Sequence, residues 1–142
     1  MAERVLNIGA KVENLDDVLA FVDTFLEEVD ADMKAMVQLD VAVEEMYVNI
    51  AHYAYGEEGA GDAEIRIDLD DLEGKRAVRI TFIDSGMYYD PLAKEDPDTT
   101  LSLDERPIGG LGIFMVKKSM DKVAYERKND QNIFTLWKEI GD

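Results

Sequence analysis

The chain lacks cysteine altogether and has a single histidine, His52, among its 142 residues. It can therefore form no disulfide and no thiolate metal site, and a zinc site built on histidines is not expected. No apolar run approaches membrane-spanning length, and the N-terminus lacks a basic region followed by an apolar one. We expect a cytoplasmic protein with no membrane partner, although the absence of cysteine fits any compartment.

Positive charge is also scarce, because 15 Lys and Arg stand against 32 Asp and Glu, giving a net charge of −17. Nucleic acid is a poor partner for such a chain, since phosphate contacts need clustered Lys and Arg. A basic protein partner would be attracted to it by long-range electrostatics. Charge alone leaves open the alternative that the acidic surface only keeps the protein soluble.

The size and composition fit one globular domain with a substantial core, since 46% of the residues are hydrophobic and 33% are charged. No internal repeat or domain boundary is visible, so we expect residues 1–142 to form a single domain. Apolar periodicity predicts the order β-α-α-β-β-loop-α-β-β. The predicted strands are 5–8, 63–69, 76–84, 122–128 and 131–139, and the predicted helices are 15–29, 33–55 and one that begins at 111. Strands paired by hairpins, with helices between them, predict an antiparallel or mixed sheet with helices on one face.

Local signals refine the boundaries of these elements. Asn14 is the expected N-cap of the first helix, because its side chain can accept a hydrogen bond from the first turn. Residues 70–75 are expected to form one hairpin turn, and Asn129-Asp130 the turn of the last hairpin.

The segment 40–55, DVAVEEMYVNIAHYAY, is the most informative part of the chain. On a helix of 3.6 residues per turn, one continuous apolar stripe is formed by Leu39, Val43, Met46, Tyr47, Ile50 and Ala54. Val41 and Val48 add apolar surface roughly opposite this stripe. We therefore expect the helix to be covered on both sides.

Polar residues of the same helix fall on two different faces. Glu45, Asn49 and His52 share a stripe just beside Val41 and Val48, where a carboxylate and a carboxamide in line could line a site. Glu44 and Asp40 point to a separate polar face, so the adjacent glutamates are not equivalent. The alternative is that Glu45 is an ordinary solvated helix residue.

Two further signals follow in a fixed order. Asp84-x-Gly86 ends a predicted strand, and Gly110-x-Gly112 begins a helix after a long loop, residues 87–110, that holds all three prolines. Loops of this length are usually lids, binding loops or disordered. Each glycine signal taken singly is common in turns. The fixed order of Glu45-x-x-x-Asn49 and the two glycine signals is what points to a site.

Each signal has a chemical interpretation. A carboxylate at a strand end can accept a hydrogen bond from an exocyclic amine such as that of adenine, and a glycine after it lets a flat ring approach the backbone. Glycines at a helix start expose N–H groups to phosphate. A carboxamide oxygen suits Mg²⁺, and a carboxylate one turn away could orient or deprotonate a hydroxyl for attack on a γ-phosphate.

These segments resemble motifs of the GHKL ATPase superfamily, and within it of the small anti-sigma-factor serine/threonine kinases of the RsbW and SpoIIAB type. Residues 44–55, EEMYVNIAHYAY, are similar to the N box, E-A-x-x-N-A-x-x-H-x-Y. Residues 84–91, DSGMYYDP, are similar to the first glycine box, D-x-G-x-x-x-x-P. Residues 109–116, GGLGIFMV, are similar to the second, G-x-G-(L/I)-x-(L/I/M)-(V/I). The resemblance covers nearly the whole chain and implies an α+β fold, the two-layer α/β sandwich called the Bergerat fold, with a mixed, mostly antiparallel sheet.

The resemblance also implies roles for individual residues. Glu45 matches the general base, because it stands four residues before Asn49, which matches the Mg²⁺ ligand. Asp84 matches the adenine-binding aspartate and Gly86 the glycine beside the ring. The family's histidine is replaced by Tyr53 here, with His52 one position earlier, so we interpret His52 as structural.

The remaining matches lie towards the C-terminus. Gly110 and Gly112 match glycines of the ATP lid, which we place at residues 87–110, near the phosphates. Thr135 stands where the family often has a threonine near the adenine. Arg106 is a candidate contact of the γ-phosphate.

The implied function is that of a Mg-ATP-dependent protein serine/threonine kinase. It would bind ATP or ADP with Mg²⁺, phosphorylate a small STAS-domain antagonist (an anti-anti-sigma protein), and sequester a sigma factor in transcription regulation. A homodimer is expected from the family. The alternative is a non-catalytic, nucleotide-dependent binding module that regulates a partner protein, and a third hypothesis is an acidic scaffold without a ligand.

Overall fold

Five strands form one sheet in the computed structural model, which describes residues 2–55, 61–93 and 111–141. The strands are β1 (Arg4–Gly9), β2 (Asp62–Leu72), β3 (Lys75–Asp84), β4 (Lys122–Lys128) and β5 (Gln131–Glu139). Their order across the sheet is β1-β2-β3-β5-β4, and every neighbouring pair is antiparallel. The predicted α+β class is confirmed, although the described strands form an antiparallel sheet and not a mixed one.

The helices lie on one face of this sheet, as predicted. They are α1 (Leu15–Glu28), α2 (Met33–Tyr53) and α3 (Leu111–Ser119), and short 3₁₀ turns occupy Val12–Asn14 and Pro91–Ala93. Alternate strand residues point into the core that the helices cover, namely Ile65, Ile67, Val78, Ile80, Phe82, Phe134 and Leu136. No helix within the described ranges is long and apolar enough to cross a membrane.

The predicted apolar stripe of α2 is buried along its whole length, from Leu39 to Ala54. Tyr47 anchors it, because its hydroxyl lies 2.9 and 2.7 Å from the carbonyl oxygens of Gly9 and Lys11 and shares its one proton between them. On the opposite side Val41 is 51% exposed but Val48 is half-buried, so the expected cover on both sides is only partial. The apolar stripe rests on the sheet, and the other side of the helix is partly open to solvent.

The two long helices begin differently. The side chain of Asp32 caps α2 by accepting a hydrogen bond from the Ala35 amide at 2.7 Å. Asn14 stands at the N-cap position of α1 without a capping bond, because its amide donates to the Gly9 carbonyl at 2.9 Å. The expected cap is therefore wrong, and Asn14 instead ties the start of α1 to the end of β1.

Tight turns join the paired strands. The turn between β2 and β3 is shorter than predicted, since β2 continues to Leu72 and only Glu73 and Gly74 adopt positive φ, at 54° and 83°. The predicted turn at Asn129 and Asp130 is confirmed, with φ of 54° and 61°. Positive φ at both central residues matches the right-handed twist of the flanking strands.

Candidate functional site

A cleft lies between the C-terminal half of α2 and the ends of β3 and β5. About 400 Å³ of empty space lies between these walls, a figure that includes open solvent. Its walls are mainly apolar and aromatic, with a few polar groups among them. The polar groups include Asn49 of α2, Asp84 of β3 and Asn132 of β5.

Two residues predicted from separate motifs therefore border the same cleft. Asn49 is half-buried on the α2 wall, and Asp84, which is 6% exposed, lies at the end of β3. This juxtaposition follows from the fold, because α2 crosses the sheet with its last turns above the end of β3. Helix and strand thus supply one polar group each to a largely apolar cleft.

Glu45 lies beside the cleft, not in its lining. Its carboxylate contacts the backbone of α3 so closely that a Cβ on Gly112 would overlap Oε2 of Glu45. A side chain at position 112 would therefore have to displace this carboxylate. The N box and the second glycine motif meet at this contact, which neither motif alone would indicate.

Gly86 is required here by packing against α2. A Cβ at this position would overlap the carbonyl group of Ala54, and the adjacent Met87 amide donates to the same carbonyl at 2.8 Å. The sequence suggested that a glycine here allows a ring to approach the backbone. The structure adds a second reason, which is the close packing against Ala54. The strand end that carries Asp84 is fixed directly to the C-terminal end of α2.

Tyr55 reinforces the same junction. Its hydroxyl donates to the Asp62 carbonyl at 2.5 Å and accepts from the Ser85 amide at 2.9 Å. Burial raises the pKa of Tyr55 above its usual value, which keeps the donor protonated near neutral pH. The tyrosine that closes the N box therefore holds the loop after Asp84.

Aromatic side chains stand at the mouth of the cleft. Tyr53, which replaces the family's histidine, lines the cleft, and its ring centroid lies 6.4 Å from that of Tyr89. His52 is exposed and contacts only the ring of Tyr53 among aromatic residues described, with centroids 6.0 Å apart. The interpretation of His52 as structural stays a prediction.

Thr135 lies on the face of the sheet opposite the cleft. Side chains alternate along β5, and the buried helix-side set contains Asn132, Phe134 and Leu136. Thr135 therefore faces the opposite side of the sheet, where its hydroxyl lies 3.5 Å from that of Thr81. Its expected place near the base is wrong, and Asn132 occupies the cleft in its stead.

Asn132 was not predicted, although its position carries a signal. A polar side chain at the alternation position shared with Phe134 and Leu136 must point into the core or into a cavity. Its Nδ2 donates to Asp84 Oδ1 at 2.9 Å. The other candidates, Arg106 and Gly110, lie outside the described residues.

The described residues contain no group of three or more Asp, Glu or His side chains that could hold a metal ion. This excludes an all-protein cage in that part of the chain. It fits a Mg²⁺ bound mainly by phosphates and water, for which a single carboxamide such as Asn49 is a suitable protein ligand.

Comparisons with known proteins agree with this geometry. A family model described as histidine kinase-like ATPase domain matches residues 8–138. The serine/threonine-protein kinase BtrW of Bordetella bronchiseptica is 29% identical over 98 residues, which are 69% of this chain and 66% of BtrW. The crystal structure of the RsbU and RsbW domains of Rv1364c from Mycobacterium tuberculosis matches with a TM-score of 0.70 at 17% identity, over 100% of this chain and 33% of that one. The match to BtrW thus spans slightly less than two thirds of that protein.

The structural likeness shows the fold, and the family model spans the N box, the first glycine box and α3 together. The resemblance to the GHKL superfamily, drawn from three short motifs, is thereby confirmed. The family's description names an ATPase domain, which implies ATP binding. The chain belongs to the family of histidine kinase-like ATPase domains.

Proposed function

We propose that the chain is a Mg-ATP-dependent protein serine/threonine kinase of the anti-sigma-factor type. The observation that carries this proposal is the meeting of Asn49 and Asp84 at one cleft, with Glu45 one helical turn from Asn49. The name of BtrW, a serine/threonine-protein kinase, supports the choice of acceptor. A STAS-domain antagonist would be the phosphorylated protein, and a sigma factor the sequestered one.

Asp84 would recognise the base. One of its oxygens, Oδ1, already accepts hydrogen bonds from the Gly86 amide at 3.0 Å and from Asn132 at 2.9 Å. Oδ2 accepts none from the residues that the structure describes, and the side chain borders the cleft. The exocyclic amine of adenine is a donor of the kind that Oδ2 can accept.

Asn49 would hold Mg²⁺ through its carboxamide oxygen. When bound with the nucleotide, the ion supplies charge neutralisation of the phosphates. Asn49 itself is held by α2, whose apolar stripe is buried against the sheet. Its backbone is therefore held beside the cleft by a packed helix, which favours a defined ligand geometry.

Glu45 would orient or deprotonate the hydroxyl of the acceptor serine or threonine. Its contact with Gly112 places it at the N-terminal turn of α3, where exposed N–H groups favour phosphate. We also propose that residues 87–110 form the lid over the phosphates. The described beginning of this segment supports that assignment, because Tyr89 and Pro91 line the cleft.

The nucleotide site is tested by thermal unfolding with ADP or ATP, each with and without Mg²⁺. A ligand that binds only the folded state adds about 2.7 kcal/mol at a hundredfold excess over Kd. We expect a Mg-dependent rise in the wild type and a smaller rise in Asn49→Ala. No shift with either nucleotide at millimolar concentration would remove the basis of the proposal.

Phosphotransfer is tested with Glu45→Gln, a recombinant STAS-domain protein and radiolabelled ATP. We expect the variant to retain its nucleotide-induced stabilisation and to lose phosphotransfer by about a hundredfold, as general-base removal typically does. Glu44→Gln is the matched control, since Glu44 is exposed on the adjacent position of the same helix. Equal loss in both variants would argue against a specific role for Glu45.

The second candidate function is a nucleotide-dependent binding module without catalysis. It is favoured by the position of Glu45, whose carboxylate lies against α3 and does not line the cleft. Catalytic contacts often tighten only in the substrate complex, so this position does not exclude catalysis. Nucleotide binding without phosphotransfer in the wild type would decide for the binding module.

A further inference from the structure

Asn132 occupies the centre of a hydrogen-bond network at the base of the cleft. It is 6% exposed, and its Nδ2 donates to Asp84 Oδ1 at 2.9 Å and to the Met87 carbonyl at 2.8 Å. Its Oδ1 accepts from the Tyr125 hydroxyl at 2.5 Å and from the Tyr89 amide at 3.3 Å. A carboxamide has two hydrogens and two strong acceptor positions, so these four bonds use its full capacity. Asn132 therefore has nothing left with which to bind a ligand directly.

The partners of Asn132 also fix which way its carboxamide points. The Met87 carbonyl can only accept, so the nitrogen must face it. The Tyr89 amide can only donate, so the oxygen must face it. The usual ambiguity between nitrogen and oxygen of an asparagine is removed by its neighbours.

This orientation determines what Asp84 offers to the cleft. With Asn132 and the Gly86 amide both donating to Oδ1, the carboxylate cannot rotate without losing two hydrogen bonds. Oδ2, which has no hydrogen-bond donor within the described ranges, is left as a fixed acceptor. A ligand that presents an N–H there gains a bond, whereas one that presents a carbonyl meets a second acceptor.

The same network joins β3 to the last hairpin. Asn132 bonds the segment after β3 at both Met87 and Tyr89, and Arg127 of β4 donates to the Gly86 carbonyl at 2.9 Å. The loop that follows Asp84 is thus held from β4 and β5 as well as from α2. The acceptor is presented by a braced backbone and not by a mobile turn.

We propose that Asn132 is the positioning residue that sets the base preference of the site by holding Oδ2 of Asp84 as an acceptor. The proposal rests on the nucleotide site of the proposed function and names a residue that none of the three motifs includes. It assigns Asn132 no contact with the ligand. Its effect is on the choice between a base with an exocyclic amine and a base with a carbonyl at the same position.

The test compares ADP with inosine diphosphate, which carries a carbonyl in place of the exocyclic amine. Dissociation constants for both are measured by calorimetry on the wild type and on Asn132→Asp. The new carboxylate cannot donate to Asp84 unless the two groups share a proton, so we expect the preference for ADP to fall about tenfold, the cost of one charge-assisted hydrogen bond. General damage to the fold would weaken both ligands alike and leave their ratio unchanged.

The matched control is Asn129→Asp, the same chemical change three positions away in the same hairpin. Asn129 is exposed in the turn, at a φ of 54° that aspartate tolerates. We expect it to keep the wild-type ratio. If Asn132→Asp does not fold, Asn132→Ser removes the reach to Asp84 without adding charge, and the same fall in the ratio is expected.

The outcomes separate the two proposals. If the wild type binds neither nucleotide, the nucleotide site itself is wrong, and this inference is overturned with it. If the wild type prefers ADP and Asn132→Asp keeps the full preference, the nucleotide site stands and the positioning role is overturned. A lowered ratio in the Asn132 variants, with the Asn129 variant unchanged, supports the positioning role.

Discussion

Asp84 is a buried carboxyl and Asp40 a partly buried one, and the groups next to them are of opposite kinds. Asp84 meets donors, the Gly86 amide and the Asn132 carboxamide, at 3.0 and 2.9 Å. Asp40, on α2, meets Asp23 of α1, and the buried Oδ1 atoms of both have no hydrogen-bond partner in the described part of the chain. Two carboxyls can hydrogen-bond only when one of them is protonated.

Burial has a different effect on a carboxyl beside donors than on a carboxyl beside another carboxyl. Burial, then a hydrogen bond with Asp23 and its charge, raise the pKa of Asp40 from 3.8 to about 7. At Asp84, two donors bind one carboxylate oxygen and the side chain borders the cleft, so the other oxygen is suited to binding a ligand. At Asp40 the buried Oδ1 has no hydrogen-bond partner among the described residues and the neighbouring group is another carboxyl, so burial makes folding depend on pH instead.

The largest effect is expected from Asp84→Asn. The new side chain keeps one oxygen for the Gly86 amide and Asn132, and it turns Oδ2 into a donor. We expect ADP to bind about tenfold to a hundredfold more weakly, since a hydrogen bond to a charged group contributes roughly 1.5–3 kcal/mol. Inosine diphosphate, which offers a carbonyl, is expected to gain relative to ADP, and calorimetric titration measures both.

Asp130→Asn is the matched control for this change. Asp130 is exposed in the β4–β5 turn, at a φ of 61° that asparagine also adopts. Its ADP affinity and its ligand-free unfolding temperature are expected to equal those of the wild type. If Asp84→Asn bound ADP as tightly as this control does, the assignment of Asp84 to base recognition would fail.

The sequence predicts the framework of the site because that framework depends on local patterns. The apolar stripe of α2 has a period of 3.6, and it is buried as expected. The last hairpin is marked by Asn129-Asp130, whose φ values are both positive. Once the helices lie on one face, Asn49 and Asp84 reach the same cleft.

What the sequence does not predict depends on tertiary contacts or on register. Thr135 was placed near the base by analogy, whereas the period of two along β5 puts Asn132 on the cleft side and Thr135 on the other. Asp40 was assigned with Glu44 to a polar face, and only the packing of α1 brings Asp23 against it. The need for glycine at position 86 likewise comes from the carbonyl of Ala54, distant in sequence.

A smaller effect, on stability, is expected from Asp40→Asn. Because the folded pKa of Asp40 is about 7 and its ordinary value is 3.8, the folded state binds more protons than the unfolded state between these pH values. The protonated pair therefore stabilises the fold fully below about pH 4, and this contribution is lost as pH rises through 7. Asparagine donates to Asp23 at every pH, so the variant should be more stable than the wild type at pH 8 and nearly equal to it at pH 4.

Unfolding curves in urea at pH 4, 6 and 8 measure this difference. We expect a gain on the order of 1 kcal/mol at pH 8, well below the full linkage value, because Asp40 is only partly buried and solvent screens the pair. Glu44→Gln, an exposed neutralisation on the same helix, should show no such pH-dependent gain. A gain in both variants would point to the net charge of −17 as the cause, whereas a gain in Asp40→Asn alone would show that the pairing of Asp23 with Asp40 opposes folding at pH 8.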